Sequence, residues 1–296
     1  MMTLTELMER FPTQDSCREY LVEKRWPNGV RCPRCGNKRV YDIARPWNWQ
    51  CNKCAKTGYR FSPLVGTIFE NTNVGLRTWF QVIYLMCQSK KGISALQVQR
   101  IIGAGSYETA WYMCHRIRAA MQSPEFKKLA GFVEVDETYV GGKAHNRHGG
   151  GVGGGLKKHQ GGRGMAGKVA VVGAIARKGN VICKVIETTS NATLDAFVRQ
   201  AVSEKVKLVA TDEHAGYRFL DGKLPHGVVN HSHGEYVRGN VHTANIDSFW
   251  SGLKRGVIGT FHKVSKKYLP LYLNEFSFRY NNRKDGDMFA LVVAGS

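Results

Sequence analysis

The sequence predicts an α/β protein assembled from several parts, on three observations. Two apolar runs of strand character each carry an aspartate: Asp136 within Val133-Glu134-Val135-Asp136-Glu137, and Asp212 closing Leu208-Val209-Ala210-Thr211-Asp212. A helical pattern follows them, with Ile246, Phe249, Trp250, Leu253 and Val257 on one stripe and Asp247 and Lys254 seven residues apart beside it. Ahead of both stand two Cys-x-x-Cys pairs, Cys32 with Cys35 and Cys51 with Cys54.

The 296 residues, 43% of them hydrophobic and 10% aromatic, suffice for two or three small domains or one large core. Lysine and arginine number 43 against 23 acids, a formal charge of +20 spread along the whole length. Such an excess calls for a polyanionic partner, nucleic acid before a membrane surface. No apolar run approaches the roughly 18 residues of a spanning helix, and the opening Met-Met-Thr-Leu-Thr-Glu has neither a basic nor an apolar leader region. The expectation is a cytoplasmic, nucleoid-associated protein without a membrane partner. The remaining cysteines, Cys17, Cys87, Cys114 and Cys183, stand singly in apolar or helical patterns, as core residues do, and disulfides are not expected.

Residues 1–27 read as short amphipathic helices, Leu4 to Phe11 and Ser16 to Arg25, with Ser16 as cap and Pro27 as stop. Residues 28–63 read as a zinc ribbon. Fifteen residues separate the two cysteine pairs, and four thiolates close a tetrahedral shell around Zn²⁺ without an open position, so the metal is expected to be structural. Residues 64–130 carry helical patterns at Leu76 to Lys90, Ser94 to Ile101 and Tyr107 to Met121, with a Gly103-Ala104-Gly105 turn before the last. Three short helices with such a turn resemble a helix-turn-helix, and Tyr112, Arg116 and Arg118 on the third are expected to face DNA. A helical linker packed on its neighbours is the plainer alternative.

From 131 to 296 the pattern is α/β: strands at Phe132 to Val140, Lys168 to Arg177, Val181 to Glu187, Lys207 to Thr211 and Val228 to His231, a helix at Thr193 to Val202, and the Asp247 helix after them. Three strands, a helix, a strand ending in an acid, another strand and a long helix match an RNase H-like order. Asp136 then lies in mid-strand and Asp212 just past the end of a neighbour. Between the first two strands, Gly141 to Gly167 is a glycine-rich insert whose Lys157, Lys158 and Arg163 are expected to meet DNA in a mobile loop. Its end, Gly162 to Lys168, imitates a phosphate-binding loop, but Val169 replaces the required hydroxyl residue and a strand follows.

Three oxygen donors from separate elements suit one or two hard cations, Mg²⁺ or Mn²⁺, and a lysine two turns from the third acid would face a phosphate. Together they point to phosphodiester chemistry on nucleic acid.

The order of these pieces resembles the insertion-sequence transposases with an N-terminal zinc ribbon and a DDE-type catalytic domain, the ISXO-like group related to the Merlin elements. The matching segments cover nearly the whole chain. They include Trp26-Pro27-Asn28-Gly29-Val30-Arg31-Cys32-Pro33-Arg34-Cys35-Gly36, Gly66-Thr67-Ile68-Phe69-Glu70-Asn71-Thr72, Val133 to Lys143, Thr211-Asp212, His242-Thr243 through Lys254-Arg255-Gly256, and Tyr272-Leu273-Asn274-Glu275-Phe276. The resemblance implies that Asp136 and Asp212 are the first two catalytic acids and Lys254 the base beyond the third. It further implies two catalytic ions, terminal inverted repeats and target DNA as double-stranded partners, and a homodimer or higher synaptic oligomer. Lys254 and Arg255 are expected among the DNA contacts. One departure concerns the third acid: relatives commonly carry Glu in this Ile-Glu-x-Phe-Trp segment, and some use Asn, where this chain has Asp247, shorter than Glu by one methylene. Asn245 points about half a turn away from Lys254 and is the poorer ligand. A DNA-binding descendant without catalysis, and an RNase H-like nuclease without joining, are the rival functions.

Other polar residues have plainer readings. Glu134 shares a strand face with Asp136 while Glu137 points oppositely, and salt bridges or solvent are expected for both. Glu213 belongs to a solvated turn. His226, His231, His233 and His242 lack paired ligand spacing and suit phosphate contact better than a second zinc. Trp250 is expected in the core, Arg279, Asn281, Asn282 and Arg283 along a DNA channel, and Leu291 to Ser296 as a loose tail.

Overall fold

The computed structural model describes residues 2–55, 57–122, 127–141, 167–284 and 286–296. It divides into two compact units, Met1–Ser123 with Asn282–Ser296, and Pro124–Asn281.

The first unit begins with α1 (Leu4–Arg10) and α2 (Gln14–Arg25). Helix α2 starts two residues earlier than its sequence suggests, because Thr13 takes the cap: its hydroxyl accepts the Ser16 N–H at 3.1 Å, and Ser16 answers at the third helical position. Three short antiparallel strands form the ribbon, β1 (Tyr41–Asp42), β2 (Trp49–Cys51) and β3 (Tyr59–Phe61), over a small core of Trp26, Trp49 and Phe61. Helices α3 (Leu76–Gln88), α4 (Ala95–Ile102) and α5 (Tyr107–Ala120) follow as expected of the helix-turn-helix-like region. Gly103 closes α4 at φ +65°, a left-handed conformation in which glycine carries no steric cost, and Ser106 caps α5.

The second unit is the RNase H-like domain. Strands β4 (Leu129–Val140), β5 (Val169–Ala176) and β6 (Val181–Ile186) form an antiparallel meander, α6 (Asn191–Ala201) crosses one face, and β7 (Val202–Thr211) and β8 (His226–Val228) join parallel to β4. The sheet order is β6-β5-β4-β7-β8. Helices α7 (Ala244–Gly256) and α8 (Leu269–Asn281) cover the other face. Alternation along β4 then sorts its side chains: Val133 and Val135 pack in the α6 core, whereas Glu134 and Asp136 face α7.

The last helix, α9 (Met288–Ala294), corrects the expectation of a loose tail. Phe289, Val292 and Val293 are buried, and the Phe289 ring lies 5.2 Å from Phe80 and 5.8 Å from Phe11 in the first unit. Arg279 and Asn281 also depart from expectation. Arg279 is buried and paired with Glu275 one turn earlier, and Asn281 bonds both the N–H and the carbonyl of Val181, anchoring α8 to the outer strand β6. The packing of α8 on the sheet draws Arg279 inward and ties Asn281 to the backbone of β6.

Candidate active site

Helix α7 begins without help from its own cap residue, since the Thr243 side chain makes no capping bond. The acceptor comes from β4. Glu134, fully buried, accepts the N–H groups of Asn245 at 2.8 Å and Ile246 at 3.1 Å, and the Asn245 side-chain amide at 2.7 Å. A carboxylate at a helix N-terminus meets both the orphan donors and the positive end of the dipole. Arg177, at the end of β5, offsets its charge through Nε at 2.8 Å and also donates to the His242 carbonyl at 3.2 Å. Glu134 is therefore in a salt bridge, as expected, but spends its remaining oxygen capacity on fixing α7. Asn245 is occupied by that bond.

With α7 so held, Asp247 stands exposed in its first turn, its carboxylate bonded by the Thr243 hydroxyl at 2.9 Å. Lys254 is exposed two turns further along, about 10 Å down the axis on the same side. Asp136 sits in β4 with one carboxylate oxygen accepting the Trp250 indole N–H at 3.0 Å. Asp212 follows β7 directly, and its carboxylate accepts the His214 N–H at 3.1 Å. Behind it, the buried Thr211 hydroxyl donates to the Asp212 carbonyl at 2.9 Å and meets His226, whose other ring nitrogen lies 2.8 Å from Asp221.

Asp136 is the acid that its surroundings perturb. Burial first, then the charges of Glu137, Asp212 and Asp247, push the Asp136 carboxyl up to about 8. Glu137 points to the opposite face, where the Tyr217 hydroxyl donates to it, and burial raises it also. A shared cation would offset the repulsion that otherwise keeps a proton on Asp136. Among the described residues, the one tight set of metal-ligating side chains is that of the ribbon cysteines, whose four sulfurs all lie within 4.8 Å of one another.

The ribbon fits zinc closely. Cys32 Sγ lies 3.4 Å from Cys54 Sγ and Cys35 Sγ 3.8 Å from Cys51 Sγ, against about 3.8 Å for the edge of a tetrahedron with Zn–S bonds of about 2.3 Å. No disulfide competes, since all eight cysteines are free. His226, His231, His233 and His242 gather no second cluster among the described residues. Glu213, in the turn after Asp212, accepts from the backbone of His231 and Ser232 and so braces the loop leading to α7.

The expected DNA contacts divide. Lys254 and Arg255 are exposed, and Tyr112 is 56% exposed. Arg118 is only 2% exposed, because the buried face of α5 includes it, and Arg116 donates to the carbonyls of Thr67 and Glu70 against the Trp79 ring. Burial corrects Arg118 from a DNA contact to an interior residue of the helical region, whereas Arg116 is half-buried and also lies over the exposed Tyr112 ring. Lys157, Lys158 and Arg163 lie outside the described residues.

Sequence reasoning missed the connections around the acids. The alternation of β4 placed Glu134 beside Asp136, yet nothing in the local pattern names α7 as its partner. Trp250 lies in the core as expected, and its role as donor to Asp136 depends on a contact across 114 positions.

Comparison with known proteins places these features. Residues 128–281 match the model of the ISXO2-like transposase domain, and residues 12–57 match the transposase zinc-ribbon domain. The chain is also 30% identical over 282 residues, 92% of each protein, to "Uncharacterized protein in transposable element ISH50" of Halobacterium salinarum. The sheet order, the four-cysteine ribbon and both matches agree: the chain belongs to the ISXO2-like family of transposases, with an amino-terminal zinc ribbon.

Proposed function

We propose that this chain is a DNA transposase that binds the terminal inverted repeats of its element and catalyses metal-dependent cleavage and strand transfer. The observation that carries the reading is geometric: Asp136 lies on β4 beside the end of its parallel neighbour β7, which Asp212 follows, and α7, which carries Asp247, reaches Asp136 through the Trp250 indole. Mg²⁺ or Mn²⁺ bound there would activate water or a DNA 3′ hydroxyl and stabilise the departing oxygen. The protein's part is to hold the acids: Asp136 through Trp250, Asp212 through the His214 amide, Asp247 through Thr243 on a helix capped by Glu134. Lys254, exposed on the Asp247 side of α7, is assigned to a DNA phosphate, and Arg255 beside it to the backbone. The ribbon and the helical region, with Tyr112, are assigned to terminal-repeat binding. Two repeat ends must be joined in one event, so the acting form is assigned as a dimer or larger.

The deciding experiment is an end-cleavage assay on terminal-repeat DNA with Mg²⁺ or Mn²⁺. Cutting by the wild type that is abolished by Asp136→Ala and by Asp212→Ala supports the reading, and undiminished cutting by either variant overturns it. Binding without nicking, restored by Asp247→Glu, would identify a DNA binder silenced at its third acid. Cleavage without strand-transfer products would identify a nuclease.

A further inference from the structure

We infer that Trp250 is a positioning residue for Asp136, and that position 173 is glycine so that the indole can reach it. The inference rests on the reading of Asp136 as a ligand of a divalent cation. Asp136 on β4 and Gly173 on β5 are directly paired across the antiparallel ladder. A Cβ at Gly173 would come within 2.6 Å of Trp250 Cη2, 2.7 Å of Trp250 Cζ2 and 3.2 Å of Ile246 Cδ1. Gly173 is not among the glycines of positive φ, so its backbone conformation suits any residue. Space is what requires glycine.

The indole, 3% exposed, lies over that gap and donates through Nε1 to Asp136 Oδ2 at 3.0 Å. An indole N–H only donates, and buried it requires an acceptor. A carboxylate with one oxygen held by a rigid ring cannot rotate freely, so its orientation is set before any cation arrives. Trp250 also stands three residues after Asp247, on neighbouring positions of α7. One helix therefore carries one acid and steers another, which couples the spacing of Asp136 and Asp247 to the seating of α7 on β5. Removing a supporting hydrogen bond of this kind typically changes metal affinity by about 10–100-fold.

The test measures Mn²⁺ binding to the full-length, zinc-loaded chain by the electron paramagnetic resonance of free Mn²⁺, with Asp136→Asn as reference. Trp250→Phe keeps a ring in the core and removes the donor; Gly173→Ala keeps the donor and displaces it. Each is expected to weaken Asp136-dependent Mn²⁺ binding by about tenfold. The double variant should be no weaker than the weaker single one, because both changes break the same hydrogen bond. Amide exchange along α7, compared at a temperature where wild-type protection is retained, separates displacement from unfolding. If the wild type binds Mn²⁺ through Asp136 while both single variants bind within twofold of it, the positioning role is overturned and the metal reading stands. Effects that multiply in the double variant overturn the part assigned to glycine. If Asp136→Asn binds as the wild type does, the metal reading itself falls, and this inference with it.

Discussion

Removing the carboxylate of Glu134 is expected to loosen the helix that carries the third acid while leaving every proposed ligand in place. Glu134→Ala deletes the acceptor of four hydrogen bonds, from Arg177 Nε, Asn245 N, Asn245 Nδ2 and Ile246 N, at a position with no solvent exposure. Hydrogen bonds to a charged group are worth about 1.5–3 kcal/mol each, and a plain sum would reach most of a domain's stability of about 5–15 kcal/mol. The donors share one acceptor group and relax together, so the better guide is the removal of one partner from a buried ion pair, about 3–5 kcal/mol. Glu134→Gln keeps a single carbonyl oxygen for the helix but turns an amide N–H toward Arg177, and about 1–3 kcal/mol is expected. Native-state amide exchange reads this locally, with Asn245 and Ile246 accelerating first, while urea unfolding reads it globally. A change below about 0.5 kcal/mol in Glu134→Ala, with unaltered exchange at Asn245 and Ile246, would refute the capping argument.

Four further outcomes are expected. Because burial and neighbouring acids raise Asp136 to about 8, against about 4 in an unfolded chain, the native state holds its proton more tightly. Its contribution to stability is therefore greatest below about pH 4 and declines as pH rises toward about 8; urea midpoints without added divalent cation should show this, with Asp136→Asn making the decline shallower, Glu137 supplying part of what remains, and Mg²⁺ opposing it. Chelation of zinc should make residues 28–63 sensitive to protease while exchange protection in β4, β5 and β7 persists, since the ribbon core is small and four unliganded thiols cannot replace the metal. Phe289→Ala should lower the stability of the first unit by about 3–5 kcal/mol in thermal unfolding, because the ring packs against Phe11, Tyr20 and Phe80. DNA affinity should fall steeply with salt, and Lys254→Gln with Arg255→Gln should reduce the slope of log affinity against log salt by about 0.9 for each phosphate left without its cation; an unchanged slope would remove both residues from the DNA path.

The sequence by itself determined the order of strands and helices, the pairing of the four cysteines into one site, and the face of β4 shared by Glu134 and Asp136. These follow from spacing along the chain: Cys-x-x-Cys geometry, alternation every second residue in a strand, and the seven residues that align Asp247 with Lys254. The apolar stripe of α7 likewise announced that Trp250 would be buried. What each buried polar group bonds to was decided only by tertiary structure, because the partners lie far apart in sequence and local pattern carries no trace of them. Glu134 finds the start of α7 some 111 positions away, and Arg118, a basic residue on a helix that suits DNA by its composition, is drawn into the interior by the packing of α5. The closing helix is a similar case. Its short apolar run reads as a tail until the surface formed by Phe11, Tyr20 and Phe80 exists to bury it, since a helix of seven residues has too few bonds to outweigh the cost of nucleation without such a surface.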